Sequence, residues 1–363
     1  MKLNSKIYVA GHNGLVGSAI VANLKSKGYT NIVGRSHKEL DLLDGSAVAK
    51  FFEEEKPQYV ILAAAKVGGI IANNIYRAEF IYENIQVQNN VIHQSYLNGV
   101  EKLLYLGSTC IYPKDAPQPM SEDVLLTSPL EYTNEPYAVA KIAGIKMCES
   151  YNIQYGTNFI SVMPTNLYGP NDNFDLEKSH VLPALIRKIH LGKALEDSNW
   201  EAIRADLNSL PIESINGDSS KEDILAKLDS YGVHISDNNI VQIEIWGSGK
   251  PRREFLWSLD MADACVFLME SRDFKDTYDN SSNEIRNTHI NIGTGIDISI
   301  KELANTIRER IGFNGELYFN RDKPDGTMKK LTDVTKLHNL GWRHRVELRD
   351  GIDKLYNWYL QKS

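Results

Sequence analysis

Lys6-Ile-Tyr-Val-Ala-Gly11-His-Asn-Gly14-Leu-Val-Gly17 decides the fold class. Ile7 to Ala10 predicts a buried strand, the three glycines a turn, and Val16 to Lys27 a helix. Glycines at this spacing allow a tight turn, close backbone approach to a pyrophosphate and close helix–strand packing. The helix start then offers N–H groups and the positive end of its dipole to phosphate. Glycines also gather in turns for purely conformational reasons. The strand before the motif and the helix after it therefore carry the reading. Gly11, Asn13, Gly14, Leu15, Val16 and Gly17 form the expected dinucleotide cradle.

Working outward, strand-like and helix-like segments alternate. Strands are expected at Asn31–Gly34, Tyr59–Ala64, Lys102–Leu106 and Asn158–Met163, and helices at Gly45–Glu55, Phe80–Asn98 and Tyr137–Tyr155. Such alternation predicts an α/β, Rossmann-type doubly wound parallel sheet. The strand ends at Ala63, Ala64, Ala65, Leu106, Gly107, Pro164, Thr165, Asn166 and Leu167 are expected to line the cofactor. Residues 1–170 read as this domain, with later segments returning to it. Residues 171–363 read mainly as a smaller C-terminal α/β substrate domain, with strands at Val241–Trp246 and His289–Ile292 and helices at Asp260–Met269 and Ile300–Ile311. Between them, Leu191 to Asn239 is polar and charged and reads as two short helices on a surface insertion.

The second strand ends at Gly34-Arg35-Ser36. An acid here holds a ribose 2′-hydroxyl, whereas an arginine suits a 2′-phosphate, so NADP(H) is favoured over NAD. Leu42 is grouped with this site, and Asp41 is expected to face the adenine side.

Tyr137 and Lys141 stand four apart, on one helix face. Ser108 follows the strand at Lys102–Leu106. A tyrosine, with an ordinary pKa of about 10, is a poor acid or base at neutral pH. A lysine one turn away is expected to lower it, and Ser108 to orient a substrate oxygen. Together with the cradle this is a proton relay for hydride transfer at a carbonyl. Cys110, two residues after Ser108, points to the same side if the backbone is extended.

The chain has 363 residues, 42% of them hydrophobic and 24% charged, with a formal net charge of -7. These values suit a soluble globular protein and give no sign of nucleic-acid or membrane binding. Three cysteines make no disulfide framework, and no apolar run reads as a membrane span, so a cytoplasmic enzyme is expected.

The relay and glycine motif resemble the extended short-chain dehydrogenase/reductases. Gly107-Ser-Thr-Cys-Ile-Tyr-Pro113, Thr133 to Gly144, Met163 to Pro170, Ser179-His-Val-Leu-Pro183, Trp246-Gly-Ser-Gly249, Arg253-Glu-Phe255 and Lys323-Pro-Asp-Gly-Thr327 narrow the resemblance to the GDP-L-fucose synthase family. The family implies NADPH-dependent C4 reduction and 3,5-epimerisation of a GDP-4-keto-6-deoxy-sugar. It implies Cys110 as the epimerisation base and His180 as the acid, with His180 also beside the cofactor. It implies a substrate site at Ser108, Thr109, Cys110, Asn166, Lys188, Trp246, Arg253, Lys323 and Asp325, and homodimers paired through the two long helices. Lys188 departs from the arginine usual there, and adjacent Arg187 is expected to share its task. The insertion resembles relatives that reduce GDP-4-keto-heptoses for capsules, where epimerisation belongs to a separate enzyme. That alternative stays open, and Trp200 and Arg204 are read as packing the insertion.

Overall fold

The computed structural model describes residues 1–279, 281 and 283–362. The chain runs β1 (Ile7–Ala10), α1 (Leu15–Ser26), β2 (Ile32–Val33), α2 (Gly45–Glu55), β3 (Tyr59–Leu62), α3 (Ile70–Ile75), α4 (Arg77–Leu97), β4 (Lys102–Leu106), α5 (Glu135–Tyr155) and β5 (Phe159–Pro164). It continues through β6 (Asn166–Tyr168), α6 (Val181–Glu196), α7 (Trp200–Ser209), α8 (Lys221–Ser230), β7 (Val233–Ile235), β8 (Val241–Trp246), β9 (Arg252–Trp257), α9 (Ser258–Ser271) and β10 (Ile290–Ile292). Last come β11 (Asp297–Ser299), α10 (Ile300–Ile311), β12 (Glu316–Asn320), β13 (Lys329–Lys330), α11 (Thr335–Asn339) and α12 (Leu348–Leu360).

Two compact units result. The first comprises residues 1–167, 254–296 and 331–345, and the second residues 168–253, 297–330 and 346–363. The first unit holds a six-stranded sheet in the order β10-β5-β4-β3-β1-β2, every pairing parallel. Its strands are apolar on both faces because both faces are covered. Ile7 and Val9 of β1 point into one core with α1 and α9. Tyr8 and Ala10 point into the other, with α2, α4 and α5. Helix α9 and strand β10, read from sequence as part of the C-terminal domain, lie in this first unit. The strand order reverses at β1, which puts the topological switch point, where such sheets bind ligands, at the β1/β3 ends.

The second unit is built on the three-stranded sheet β12-β8-β7. The segment expected as a surface insertion is part of its core. Strand β7 pairs antiparallel with β8, Val233 against Ile243, and Ile203, Leu207, Ile224 and Leu228 of α7 and α8 are buried. Asp206 of α7 is fully buried and accepts from Arg187 Nε and Nη2 at 3.1 and 2.9 Å. Tyr359 of α12 donates to the other oxygen of Asp206.

Candidate active site

The glycine cradle is fixed by sterics. Gly11 has φ +84°, and a Cβ there would stand 2.8 Å from Ala64 N and 2.9 Å from Ala63 C. The first turn therefore touches the β3 end at the switch point. A Cβ on Gly17 would lie 2.0 Å from Gly11 O, so only glycine lets α1 pack this tightly on the turn. Gly14 caps α1 without a side-chain hydrogen bond. The amides of the first turn, Leu15 and Val16 among them, thus have no side-chain acceptor at the cap, which suits an anion. Asn13 lies exposed in the same turn. At the β2 end, Arg35 donates to Glu55 Oε1 at 2.5 Å and to Gly34 O at 3.0 Å. Ser36 follows on the same turn. Asp41 accepts from Leu43 N and lies 3.6 Å from His37, and Leu42 packs on the core.

The relay residues gather at the end of β4. Lys141 is buried, and its ammonium donates to Leu106 O at 2.9 Å. The same Nζ lies 5.0 Å from the Tyr105 ring centroid and 5.7 Å from that of Tyr137. Burial lowers the Lys141 pKa to about 8. Burial, with the Cys110 thiol adding to it, raises the Tyr137 phenol well above its ordinary value. The net shift is therefore upward, set by the loss of water on burial. The consequence is a phenol that stays protonated, as a proton donor must.

Extended backbone through Ser108 to Cys110 is also corrected. Ser108 Oγ accepts from Cys110 N at 3.4 Å and starts a 3₁₀ turn over Thr109–Ile111. Alternation therefore does not place Cys110. The turn does, bringing its thiol within electrostatic reach of both Tyr137 and Lys141. A Cβ on Gly107 would meet Met163 Cε at 2.4 Å, so this glycine lets the end of the Met163 side chain lie against the backbone before the turn. Beyond β5, Thr165 Oγ1 and Asn166 Nδ2 donate to Glu254 O at 3.4 and 2.8 Å. Pro164 and Leu167 flank them, half-buried.

The remaining candidates belong to the second unit. His180 is exposed and caps α6 without a side-chain bond. Trp246 is 58% exposed, which excludes a core tryptophan, and Lys323 Nζ lies 5.1 Å from its ring centroid. Asp325 accepts from Ser248 N at 2.8 Å and Ser248 Oγ at 2.6 Å, fixing the loop after β12 beside the end of β8. Arg253 donates to Thr327 O at 2.6 Å, and Lys188 to Glu244 O at 3.4 Å. Arg187 does not join this group. It is 1% exposed, and its guanidinium is held by Asp206 and by the carbonyls of Phe174 and Leu210. Buried behind these contacts, it presents no exposed cation to a phosphate.

A match to the NAD dependent epimerase/dehydratase family covers residues 7–206 and 224–293. The chain belongs to that family. It is 49% identical to GDP-L-fucose synthase 1 of Arabidopsis thaliana, over 99% of this chain and 94% of that one. It is also 49% identical to a GDP-6-OMe-4-keto-L-xylo-heptose reductase of Campylobacter jejuni, with TM-score 0.91 over 100% of this chain and 99% of the other. A GDP-mannoheptose C4 reductase of the same organism, solved with NADP bound, is 49% identical with TM-score 0.87, over 99% of each chain.

In this family member the support behind the relay escaped sequence reading. Tyr105 donates to Gln88 Oε1, and Gln88 Nε2 donates to Ala140 O, both at 2.7 Å. A Cβ on Gly144 would strike the Tyr105 hydroxyl at 2.5 Å. Gln88, Tyr105 and Gly144 thus set the distance from α5 to β4. The signal for this was a glycine inside a helix, which is destabilising without a packing reason. Glu131 accepts from Thr133 and Asn134 and fixes the entry to α5.

Proposed function

We propose that this chain is an NADPH-dependent oxidoreductase that reduces C4 of a GDP-4-keto-6-deoxy-sugar and also epimerises C3 and C5. The observation that carries it is the cluster of Ser108, Cys110, Tyr137 and Lys141 at one strand end of a dinucleotide-binding sheet. The cradle fits the cofactor: Gly11 and Gly17 exclude any side chain, and the start of α1 lacks a side-chain cap. NADPH supplies the hydride when bound. Tyr137 gives its proton to the C4 oxygen, Ser108 orients that oxygen, and Lys141 holds positive charge beside the phenol and toward the ribose.

The 4-keto group acidifies the hydrogens on C3 and C5. Cys110 removes one as a thiolate, and His180 returns a proton on the opposite face. Lys188, Arg253 and Lys323 bring positive charge to the GDP diphosphate, and Trp246 offers guanine a flat face. A homodimer through α4 and α5, working in the cytoplasm, completes this reading.

The heptose reductases favour a second reading. They match the whole chain at TM-scores of 0.87 and 0.91, against 0.75 at 27% identity for a Naegleria fowleri GDP-L-fucose synthetase. In that case the fold performs only C4 reduction, on a GDP-4-keto-heptose.

NADPH oxidation with GDP-4-keto-6-deoxy-mannose in deuterium oxide, with the product read by NMR, separates them. Deuterium at C3 and C5 is expected, and Cys110→Ser should abolish it while sparing C4 reduction. Undeuterated product assigns the enzyme to reduction alone. Exchange unchanged in Cys110→Ser removes Cys110 as the base.

A further inference from the structure

The turn after β2 already contains an anion. Ser36 N and Ser36 Oγ both donate to Glu39 Oε2 at 2.7 Å. Arg35 and His12 act on the same carboxylate electrostatically, and together these contacts hold Glu39 below the usual carboxylate range. His12 lies against Gly34, where a Cβ would meet its ring at 2.4 Å, and its Nδ1 is buried with no hydrogen-bond partner among the described residues. Two donors on Ser36 therefore converge on one exposed carboxylate, which lies within electrostatic reach of Arg35 and His12. Arg35 is meanwhile engaged by Glu55, which also holds Lys6 at 3.0 Å.

We infer that Glu39 is an internal competitor for the cofactor's 2′-phosphate and sets the affinity for NADP(H). The inference rests on the reading of Arg35 and Ser36 as the 2′-phosphate site. A phosphate seeks what Glu39 now has: a backbone N–H, a hydroxyl and nearby positive charge. It cannot take Ser36 without displacing the carboxylate, and until then the two anions repel. Glu39 also closes a Ser-x-x-Glu turn, since Glu39 N and Leu40 N donate to Ser36 O at 3.0 and 2.9 Å. Glutamine can perform that capping role without the charge. Glu39→Gln therefore isolates the charge from the turn.

Calorimetric binding of adenosine 2′,5′-bisphosphate and of adenosine 5′-monophosphate to the full chain tests this. Glu39→Gln should bind the bisphosphate about three-fold tighter, as expected for removing one exposed like charge. The monophosphate should be unaffected, and the gain should shrink as salt rises. Arg35→Ala is the companion: it should weaken only the bisphosphate. If Arg35→Ala leaves both ligands equal to wild type, the 2′-phosphate site is elsewhere and both readings fall. If Arg35→Ala behaves as expected but Glu39→Gln binds the bisphosphate equally or more weakly, Glu39 does not compete and this inference alone is overturned.

Discussion

Lys141 and Tyr137 are one turn apart, yet burial moves their proton affinities in opposite directions. Lys141 falls to about 8 while the phenol rises. As pH climbs past about 8, the lysine loses its charge while the tyrosine keeps its proton. We expect kcat/KM for NADPH-dependent reduction to decline above pH 8 with a slope near one, because this parameter reports the free enzyme. A profile flat to the ordinary lysine range, about 10.4, would show that Lys141 is not the group that limits activity. The stability effect has the opposite sign. Between pH 8 and that ordinary value the unfolded chain binds a proton that the folded one has shed, so Lys141 contributes more stability as pH rises. Chemical denaturation across this window separates lost catalysis from unfolding. Tyr137→Phe removes the donor itself and should cost about 10²- to 10⁴-fold in turnover with the fold intact by circular dichroism.

At the scale of elements, α6 is held by the segment that follows it. Arg187 and Asp206 are both buried, and Tyr359 closes the pair from α12. Asp206→Ala leaves a guanidinium buried without its counter-charge, and we expect a loss of about 3–5 kcal/mol in urea unfolding. Trp200→Ala should cost far less. Trp200 is half-exposed, with Lys221 Nζ 4.7 Å from its ring centroid, while Arg204 ties the insertion to its own carbonyls at Gly217 and Ser219. Equal losses for the two variants would refute the buried clamp. The clamp also marks where sequence reading stops. Helices α2 and α10 begin and end where the sequence places them, because Asp44 caps one and a Ser299–Glu302 capping box starts the other. Strands β4 and β8 are equally legible, as unbroken apolar or alternating runs. Arg187 beside Lys188 looked like a second phosphate cation because its partner lies in another helix, and no local pattern announces Asp206. Cys110 was placed by alternation, whereas a hydrogen bond from its own amide to Ser108 turns the chain. The Tyr137–Lys141 pair is legible because it is local, whereas Tyr105 and Gln88 support it from other elements.

At the scale of the whole molecule, α4 and α5 leave apolar side chains uncovered. Tyr82 is 65% exposed, Leu97 58%, Ile153 55% and Tyr155 46%. Tyr82 and Leu97 stand near the two ends of α4, so the exposed surface follows the helix rather than forming one spot. A hollow at the start of the pair is lined by Ala78, Ile81, Pro136 and Val139, together with Arg77 and Glu135. Single exposed apolar residues need no explanation, but several on one pair of packed helices are what the proposed pairing requires. A second copy offers the same face, and a two-fold contact between identical patches closes on itself. The proposed homodimer would therefore bury this surface. We expect sedimentation equilibrium to give twice the 41.0 kDa chain mass, and Tyr82→Glu combined with Ile153→Glu to halve it. A carboxylate facing its own symmetry mate in an apolar contact carries both a desolvation cost and a like-charge repulsion. In the proposed homodimer, α5 would link this contact to the site, because Val139 lies between Tyr137 and Lys141 in sequence and is 39% exposed while Lys141 is buried. The monomeric variant should therefore lose turnover through a less rigid α5, yet retain binding of adenosine 2′,5′-bisphosphate at the separate β2 end. A wild-type chain sedimenting at its monomer mass would refute the pairing. A monomeric variant with full turnover would instead show that α5 holds its relay without a partner.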